Sequence, residues 1–423
     1  MQKFWKLDKP WILGALAIML AALLWSLDGT FIRPKLYLLP ADLVVFVEHA
    51  LGFIILAPFI MFGWQKIIRL TRKDWAAIIW VCAFGGLIGT IMITKAFFAA
   101  IGGEVTFATV VILQKLQPVF ALLMARIILG EKLKGKFYLW AAVAVLAGYF
   151  LAFGKTGLNL TDINFLNNAA VFAVIAAFAF GSSTVFGKKI VNHLDFKTTA
   201  ALRFGLTALL ALALIAISGS VAKFNSISFS QWQYFALIVF TSGAAAMFIY
   251  YYGLKRVTAS VATLCELFWP LSAVFLDYFI NKNILSPLQI LSSIVLLFAF
   301  FKIVKEGKAQ ELEFIASVKP GSGQGARLGF PTINLDKIDL NIDYGVYLVE
   351  VKTDNNYKGL LHFGLKETFA EGPSLELFIK ERIDGIENKR FSINIIKKIR
   401  EIKKFADIKA LKAQIEKDLE EIR

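Results

Sequence analysis

A glycine-rich segment followed by two polar residues is the part of the sequence best suited to chemistry. Residues 321–335 read GSGQGARLGFPTINL and contain four glycines: Gly321, Gly323, Gly325 and Gly329. Glycines allow a tight loop whose backbone N–H groups can surround an anion such as a phosphate. Pro331 then favours an extended chain, and in a strand Thr332 and Asn334 present their side chains on the same face.

Thr332 and Asn334 offer oxygen atoms beside this expected phosphate loop. A hydroxyl and an amide oxygen suit Mg²⁺, which takes few protein ligands and completes its octahedron with phosphate and water oxygens. The spacing therefore indicates a site for Mg²⁺ and a phosphate-bearing ligand. A glycine-rich hairpin with two polar edge residues is the more common explanation of such spacing, and spacing alone leaves both readings open.

Polar residues inside long apolar segments form a second set of candidates. Lys115 and Glu266 each lie about ten residues into such a segment, close to the middle of a bilayer at a helical rise of about 1.5 Å per residue. A charge at that depth costs several kcal/mol unless it is paired or faces water. We predict that Lys115, Glu266 and the neighbouring Gln114 lie on a substrate pathway. A purely structural ion pair between Lys115 and Glu266 is the alternative.

Further ionisable and aromatic residues extend this predicted pathway. Asp28 and Glu48 fall in the outer third of their apolar segments and are predicted to line a vestibule. Trp269 could stack on a planar ligand, although aromatic residues in membrane segments are mostly packing residues. The predicted pathway therefore combines charged groups with an aromatic surface.

Apolar segments dominate the elements that must position these residues. The 423-residue chain is 57% hydrophobic and 18% charged, which excludes a chain of ordinary soluble domains. A segment of about 17–25 apolar residues can cross a hydrocarbon core of ~30 Å. Ten such segments lie near residues 11–32, 43–62, 75–98, 105–129, 137–153, 168–186, 200–218, 233–252, 257–280 and 285–303.

The net charge of +15 belongs almost entirely to this apolar part. Residues 1–306 hold 26 Lys and Arg against 12 Asp and Glu, whereas residues 307–423 hold 20 against 19. With the N-terminus inside, 17 of the 26 basic residues fall on the inner side and five, including Arg33, on the outer side. The positive-inside rule then predicts a cell-membrane protein with both termini in the cytoplasm, and no nucleic acid is needed to explain the charge.

The apolar part also contains an internal repeat. Thr106 and Pro118 recur as Thr258 and Pro270 at a constant offset of 152 residues. Because five spans is an odd number, the second copy must be inserted upside down relative to the first. Inverted repeats are common in secondary transporters, which bind substrate near the midplane at the repeat interface. The predicted repeats are residues 11–153 and 168–303.

A different pattern follows a charged linker predicted at residues 304–311. Short stretches that alternate apolar and polar residues predict strands, and an amphipathic pattern at 398–422 predicts a helix. About five or six strands closed by a helix indicate a small barrel. The predicted strands are 314–318, 345–351, 358–363, 375–379 and 391–395.

Three motifs of the apolar part resemble the drug/metabolite transporter superfamily, EamA type. They are Leu24-Trp25-Ser26, Gln117-Pro118-Val119-Phe120 ending in Leu129-Gly130-Glu131, and Tyr250-Tyr251-Tyr252-Gly253-Leu254. The resemblance covers residue 11 to about residue 306. It implies gradient-coupled exchange of small metabolites, without indicating which metabolite.

The C-terminal part resembles the riboflavin kinase family over residues 312–423. The motifs are the glycine loop with Pro331-Thr332-Ile333-Asn334, Gly345-Val346-Tyr347, and Ser374-Leu375-Glu376. The resemblance implies a six-stranded barrel with a C-terminal helix that forms FMN from riboflavin and ATP with Mg²⁺. It also implies that Thr332 and Asn334 bind the Mg²⁺-nucleotide, that the glycines and Arg327 contact phosphate, and that Glu376 is the general base.

These observations predict an all-α polytopic membrane domain at residues 1–306, with ten transmembrane helices in a 5+5 inverted repeat. A small β-barrel domain with a C-terminal helix follows at residues 312–423. The predicted function is riboflavin import fused to a cytoplasmic riboflavin kinase that traps the vitamin as FMN. One alternative is a transporter of another metabolite whose tail binds flavin or nucleotide without turnover. Another is a tethered kinase beside an unrelated carrier, and the sequence leaves a homodimer open.

Overall fold

The structure is a computed structural model of the 423-residue chain. It describes residues 9–422 except 104–106, 132, 154–167, 283, 312, 321–324, 326–328, 337–339, 341–343, 354, 367–370, 382–389 and 406. The chain divides into two compact units, Met1–Lys308 and Ala309–Arg423. The helix Pro287–Glu311 includes the residues predicted as a linker.

The first unit is helical throughout its described part. Its first half contains the α-helices Lys9–Leu27, Ala41–Leu56, Pro58–Ile67, Arg72–Trp80, Gly89–Ile101, Phe107–Gln114, Gln117–Ile128 and Gly135–Phe153. π-Helical turns form Asp28–Ile32 and Val81–Ile88, and a 3-10 turn forms Arg33–Leu36. The second half contains the α-helices Asn168–His193, Phe196–Ser218, Phe229–Phe240, Ala244–Arg256, Ala259–Cys265, Phe268–Asn281 and Pro287–Glu311, with a 3-10 segment at Ser220–Ser226.

These helices make the protein a multi-pass membrane protein. Within the described residues, seven helices are long and apolar enough to cross a bilayer, or eight if the bent pair Ala41–Leu56 and Pro58–Ile67 forms one span. Each of the ten predicted segments contains at least one helix. Shorter apolar helices such as Gln117–Ile128 do not reach spanning length alone, so the count of ten spans stays a prediction.

Two helices are interrupted at the candidate pathway residues. Phe107–Gln114 ends just before Lys115, and a new helix begins at Gln117. Pro118 has no N–H, so the carbonyl of Gln114, four residues earlier, cannot receive its usual helical hydrogen bond. The N–H of Leu116 instead reaches back three residues to the carbonyl of Leu113, at 3.2 Å.

The second interruption has the same design. Ala259–Cys265 ends just before Glu266, and the next helix begins at Phe268. Pro270 removes the donor that would reach the Glu266 carbonyl, and the N–H of Leu267 bonds to the carbonyl of Leu264 at 3.1 Å. Broken helices of this kind place polar groups at mid-membrane, where transporters bind their substrates.

A carboxylate from the first predicted repeat caps the second broken helix. Glu131 accepts hydrogen bonds from the backbone N–H groups of Ala259 and Ser260, at 2.9 and 3.2 Å. The Ser260 hydroxyl also donates to Glu131. Because the first N–H groups of a helix have no partner within it, this contact satisfies two of them and holds the two repeats together.

The second unit is a closed antiparallel barrel of six strands. The strands are β1 Glu313–Lys319, β2 Ile333–Leu335, β3 Gly345–Lys352, β4 Asn356–Lys366, β5 Glu371–Ile379 and β6 Arg390–Arg400. Their order around the barrel is β1-β2-β5-β4-β3-β6. Alternate residues fill the interior, as the period of two requires, among them Leu361, Phe363, Leu375, Leu377, Phe391 and Ile393. This confirms the predicted barrel.

The C-terminal helix is shorter than predicted. It spans Ile408–Leu419, so placing its start at residue 398 was wrong. β6 continues to Arg400 because it pairs with β3, where Val346 lies opposite Arg400. The Asp407 side chain then caps the helix by accepting from the Ala410 N–H at 2.7 Å. Arg400 Nε donates to Asp418 at 2.7 Å, which fastens the helix to the barrel.

Candidate functional sites

Three candidate kinase residues lie together on the outer face of the barrel. Leu375 and Leu377 are fully buried in its interior, so Glu376 between them points outward. On β2, Asn334 pairs directly with Glu376 and precedes the buried Leu335. The structure thus brings the amide and the carboxylate side by side, although they are far apart in sequence.

Thr332, the residue directly before β2, also contacts this pair. Its hydroxyl donates a hydrogen bond of 3.1 Å to Glu376 Oε2. The sequence predicted that Thr332 and Asn334 lie in one strand. In the structure β2 begins at Ile333, so only Asn334 belongs to the strand. Since the single proton of the hydroxyl is directed to Glu376, its oxygen lone pairs remain available for a cation.

The described part of the glycine loop closes against Thr332. The Phe330 N–H donates to the Gly325 carbonyl at 2.8 Å, and a Cβ at Gly325 would lie only 2.5 Å from the Phe330 carbonyl and 2.8 Å from Thr332 Oγ1. Gly329 has φ +90°, a conformation that favours glycine. The other predicted phosphate contacts, Gly321, Gly323 and Arg327, lie outside the described residues.

The side chains grouped here carry oxygen donors of one chemical type. A hydroxyl, an amide oxygen and a carboxylate are hard oxygen donors, the ligand type that Mg²⁺ prefers. His362 on β4 also lies directly opposite Glu376, a neighbour that sequence reasoning missed. Only the register between β4 and β5 brings the two together, and no local motif encodes that register.

In the first unit, one cavity gathers all of the predicted pathway residues. Its lining includes the six candidates Asp28, Glu48, Gln114, Lys115, Glu266 and Trp269. Aromatic residues form part of the wall, with the Trp25 and Tyr250 rings 5.3 Å apart. The two helix breaks therefore open onto a common space.

Glu266 is held by protein donors from both repeats. Tyr250 OH donates to Glu266 Oε1 at 2.9 Å and Thr184 Oγ1 donates to the same oxygen at 3.3 Å. The Gln117 amide donates to the other oxygen, Oε2. Lys115 does not form the direct ion pair considered above, because its ammonium lies over the Trp269 ring, 4.9 Å from the centroid.

Asp28 and Glu48, which were predicted to line a vestibule, line the cavity as members of a buried ion network. Arg33 Nη2 contacts Asp28 at 2.7 Å and Glu48 at 2.9 Å. Arg33 Nη1 also donates to Thr94 at 2.9 Å. Arg33, which the charge count assigned to the outer side, is only 7% exposed and lines the cavity. The charge count gave no indication that this side chain is buried inside the protein.

Arg203 completes the charged lining and was missed by the pathway prediction. It donates to the Gly85 carbonyl at 3.0 Å and is buried. Within the described lining, Arg33, Lys115 and Arg203 then balance Asp28, Glu48 and Glu266. The formal charges of the cavity therefore cancel, which suits a solute without net charge.

Comparison with known proteins assigns both units. The EamA-like transporter family matches residues 12–154 and 167–305, and the riboflavin kinase family, Flavokinase, matches residues 309–423. The riboflavin transporter ImpX of Fusobacterium nucleatum is 39% identical over 297 residues, which are 70% of this chain and 98% of that protein.

Two further matches each cover part of the chain. The bifunctional riboflavin kinase/FMN adenylyltransferase of Bacillus subtilis is 35% identical over 111 residues, and the match spans only 34% of that enzyme. A protein of known crystal structure matches 70% of this chain and 97% of its own length with a TM-score of 0.53. Its identity is 15%, so the similarity shows the fold alone. The chain belongs to the EamA-like transporter family and carries a riboflavin kinase domain at its C-terminal end.

Proposed function

We propose that the membrane unit carries riboflavin across the membrane and that the C-terminal domain converts it to FMN at the expense of ATP. The observation that carries the kinase half is the grouping of Thr332, Asn334 and Glu376 on one face of the barrel. The names of the relatives support the same substrate for both halves.

Glu376 acts as the general base in this proposal. Its carboxylate takes the proton from the ribityl 5′-hydroxyl as that oxygen bonds to the γ-phosphorus of ATP, and the bond to the ADP oxygen breaks. Thr332 holds the carboxylate in place through the 3.1 Å hydrogen bond. Gly325 lets the described part of the glycine loop approach Thr332 closely, because a Cβ there would lie 2.8 Å from Thr332 Oγ1.

Thr332 and Asn334 would hold Mg²⁺ together with the nucleotide. When bound, the ion supplies positive charge that offsets the charge on the phosphates. Their neutral oxygens fit an ion that takes most of its ligands from phosphate and water. Because Thr332 and Asn334 both adjoin Glu376, a nucleotide held by them would lie near the proposed base.

Purified full-length protein with riboflavin, ATP and Mg²⁺ tests the kinase assignment. We expect FMN, separated and quantified by chromatography, and a loss of about a hundredfold or more in Glu376→Gln. The exposed Glu381 is a matched control, because Glu381→Gln changes the same group outside the site. Full activity in Glu376→Gln would contradict the base assignment.

The cavity favours an uncharged, planar cargo. Its formal charges cancel, and Trp25, Tyr250 and Trp269 offer ring surfaces. Riboflavin is neutral and has a flat ring system, whereas FMN carries a phosphate whose charge makes passage through a membrane interior costly. Phosphorylation would therefore prevent the cargo from returning.

The trapping scheme requires the kinase on the cytoplasmic side of the cell membrane. The asymmetry of the loop charges supports that orientation. It remains strong without Arg33, because 17 inner basic residues then face four on the outer side. ATP is supplied on the same side.

Uptake of labelled riboflavin tests the transport half. The Glu376→Gln protein should still equilibrate riboflavin across the membrane but should not accumulate label as FMN. Membranes without the protein provide the background rate. Uptake by Glu376→Gln no faster than that background would exclude riboflavin as the cargo while leaving the kinase assignment intact.

A further inference from the structure

We infer that the Gln114 side-chain amide recognises the imide edge of the flavin ring, where N3–H lies between two carbonyl groups. This inference rests on the proposed transport of riboflavin. It assigns to one residue of the cavity the part of the cargo that distinguishes a flavin from other planar molecules.

The two repeats differ at this position in one decisive respect. Gln114 and Glu266 are equivalent, 152 residues apart, and both lie at helix breaks and line the cavity. Glu266 receives hydrogen bonds from Gln117, Thr184 and Tyr250. Gln114 Oε1 is buried and receives none from any described residue.

An unsatisfied buried amide oxygen is costly, so a structure that retains one needs a reason. Loss of a hydrogen bond at a buried polar atom costs about 1–3 kcal/mol. Glu266 shows that the protein can satisfy the equivalent position with its own donors. At Gln114 the hydrogen-bonding capacity is left for a molecule that enters the cavity.

A primary amide has the right groups for an imide. It presents an acceptor oxygen and an N–H donor on one planar fork, while the flavin presents the N3–H donor beside a carbonyl acceptor. The two edges can form two parallel hydrogen bonds, as glutamine does with adenine in DNA recognition. This match does not depend on which amide atom is assigned as oxygen.

The position of Lys115, the residue after Gln114, supports the binding of an aromatic ligand beside Gln114. Lys115 follows Gln114 directly, and its ammonium lies 4.9 Å from the centre of the Trp269 ring. Trp269 is therefore beside the first helix break and also lines the cavity. A flavin bonded to Gln114 through its imide edge would have an aromatic partner within reach.

The test combines a change in the protein with a change in the ligand. Initial uptake of labelled riboflavin is measured in the Glu376→Gln background, where phosphorylation does not contribute, with unlabelled riboflavin or 3-methylriboflavin as inhibitor. 3-Methylriboflavin lacks the N3–H. We expect it to inhibit the Glu376→Gln protein about tenfold more weakly than riboflavin, the value of one hydrogen bond.

Gln114→Ala should abolish that discrimination. Riboflavin should bind about tenfold more weakly, and the two inhibitors should become equal within a factor of about two. Gln65→Ala is the matched control, because Gln65 is exposed and does not line the cavity. It should retain the tenfold ratio.

Three outcomes would overturn the inference. Equal inhibition by riboflavin and 3-methylriboflavin in the Glu376→Gln protein, with Gln114 present, would overturn it. This outcome does not depend on whether Gln114→Ala folds. A tenfold ratio that persists in Gln114→Ala would place the imide contact elsewhere. Absence of riboflavin uptake by the Glu376→Gln protein itself would remove the proposed cargo, a failure distinct from the other two.

Discussion

The hydroxyl of Thr332 donates a 3.1 Å hydrogen bond to the carboxylate of Glu376. This contact joins the segment before β2 to the middle of β5, two strands that are neighbours in the barrel. The residue proposed to bind the metal nucleotide therefore also orients the proposed base. A change at Thr332 should affect both nucleotide binding and the chemical step.

Thr332→Val should lower kcat/KM for FMN formation by about a hundredfold, because it removes both the bond to Glu376 and a metal ligand while keeping the size of the side chain. Thr332→Ser retains the hydroxyl and should stay within about tenfold of the unmodified protein. Steady-state kinetics at several Mg²⁺ concentrations measure the effect. Equal activity of the valine and serine variants would show that the hydroxyl has no role.

The residues of the kinase site illustrate what local sequence can and cannot predict. Thr332 and Asn334 are two residues apart in the motif, and the alternation around Leu375 and Leu377 places Glu376 on the outer face. The pairing of Asn334 with Glu376 and of His362 with Glu376 depends on strand order. Strand order is set by the whole barrel, and a short motif carries no information about it.

In the membrane unit, too, local sequence predicts some features and cannot predict others. Hydropathy locates the helices because crossing a bilayer requires a long apolar stretch. Hydropathy does not reveal that the Arg33 side chain, directly after the first apolar segment, is buried. Its contacts with Asp28 and Glu48 depend on how helices pack. The sequence therefore identified Asp28 and Glu48 as candidates but not the arginine that neutralises them.

The Arg33 network gives a prediction about stability. Arg33→Met should destabilise the membrane unit by about 3–5 kcal/mol, since it leaves Asp28 and Glu48 buried without their cation. Adding Asp28→Asn and Glu48→Gln to Arg33→Met removes the uncompensated charges and should restore much of that loss. The triple variant should therefore be more stable than the single variant.

The two cysteines provide the measurement for this prediction. Cys82 and Cys265, the only cysteines of the sequence, are buried in the membrane unit. A thiol-reactive fluorescent dye therefore reports unfolding of that unit alone when the full-length protein is heated in detergent. A triple variant less stable than Arg33→Met would contradict the proposed electrostatic cause.

Glu131 should stabilise the second broken helix through its cap. Glu131→Ala removes the acceptors of the Ala259 and Ser260 N–H groups and should cost about 1–2 kcal/mol. Glu131→Gln keeps one acceptor oxygen, and its stability should lie between those of Glu131→Ala and the unmodified protein. The cysteine assay gives the order of stability, and riboflavin uptake should decline in the same order because the capped helix leads into Glu266. An alanine variant as stable as the unmodified protein would refute the capping role.

Two glycines of the membrane unit should respond to alanine in opposite ways. A Cβ at Gly181, on helix Asn168–His193, would lie 2.7 Å from the Gln117 carbonyl and 3.1 Å from the Ala121 nitrogen. These are backbone atoms of the helix that follows the first break, and they cannot rotate away. Gly181→Ala should therefore separate the two helices and destabilise the unit by about 1–3 kcal/mol.

Gly148 is the matched control, because it is also a buried helical glycine. The nearest atom to its added Cβ would be Pro270 Cγ at 3.8 Å, an ordinary contact distance. Gly148→Ala should therefore leave stability unchanged or raise it by up to about 1 kcal/mol, the difference in helix propensity. The cysteine assay compares the two variants directly. If Gly181→Ala unfolded at the same temperature as Gly148→Ala, the close approach of the helices at Gly181 would not be required for stability.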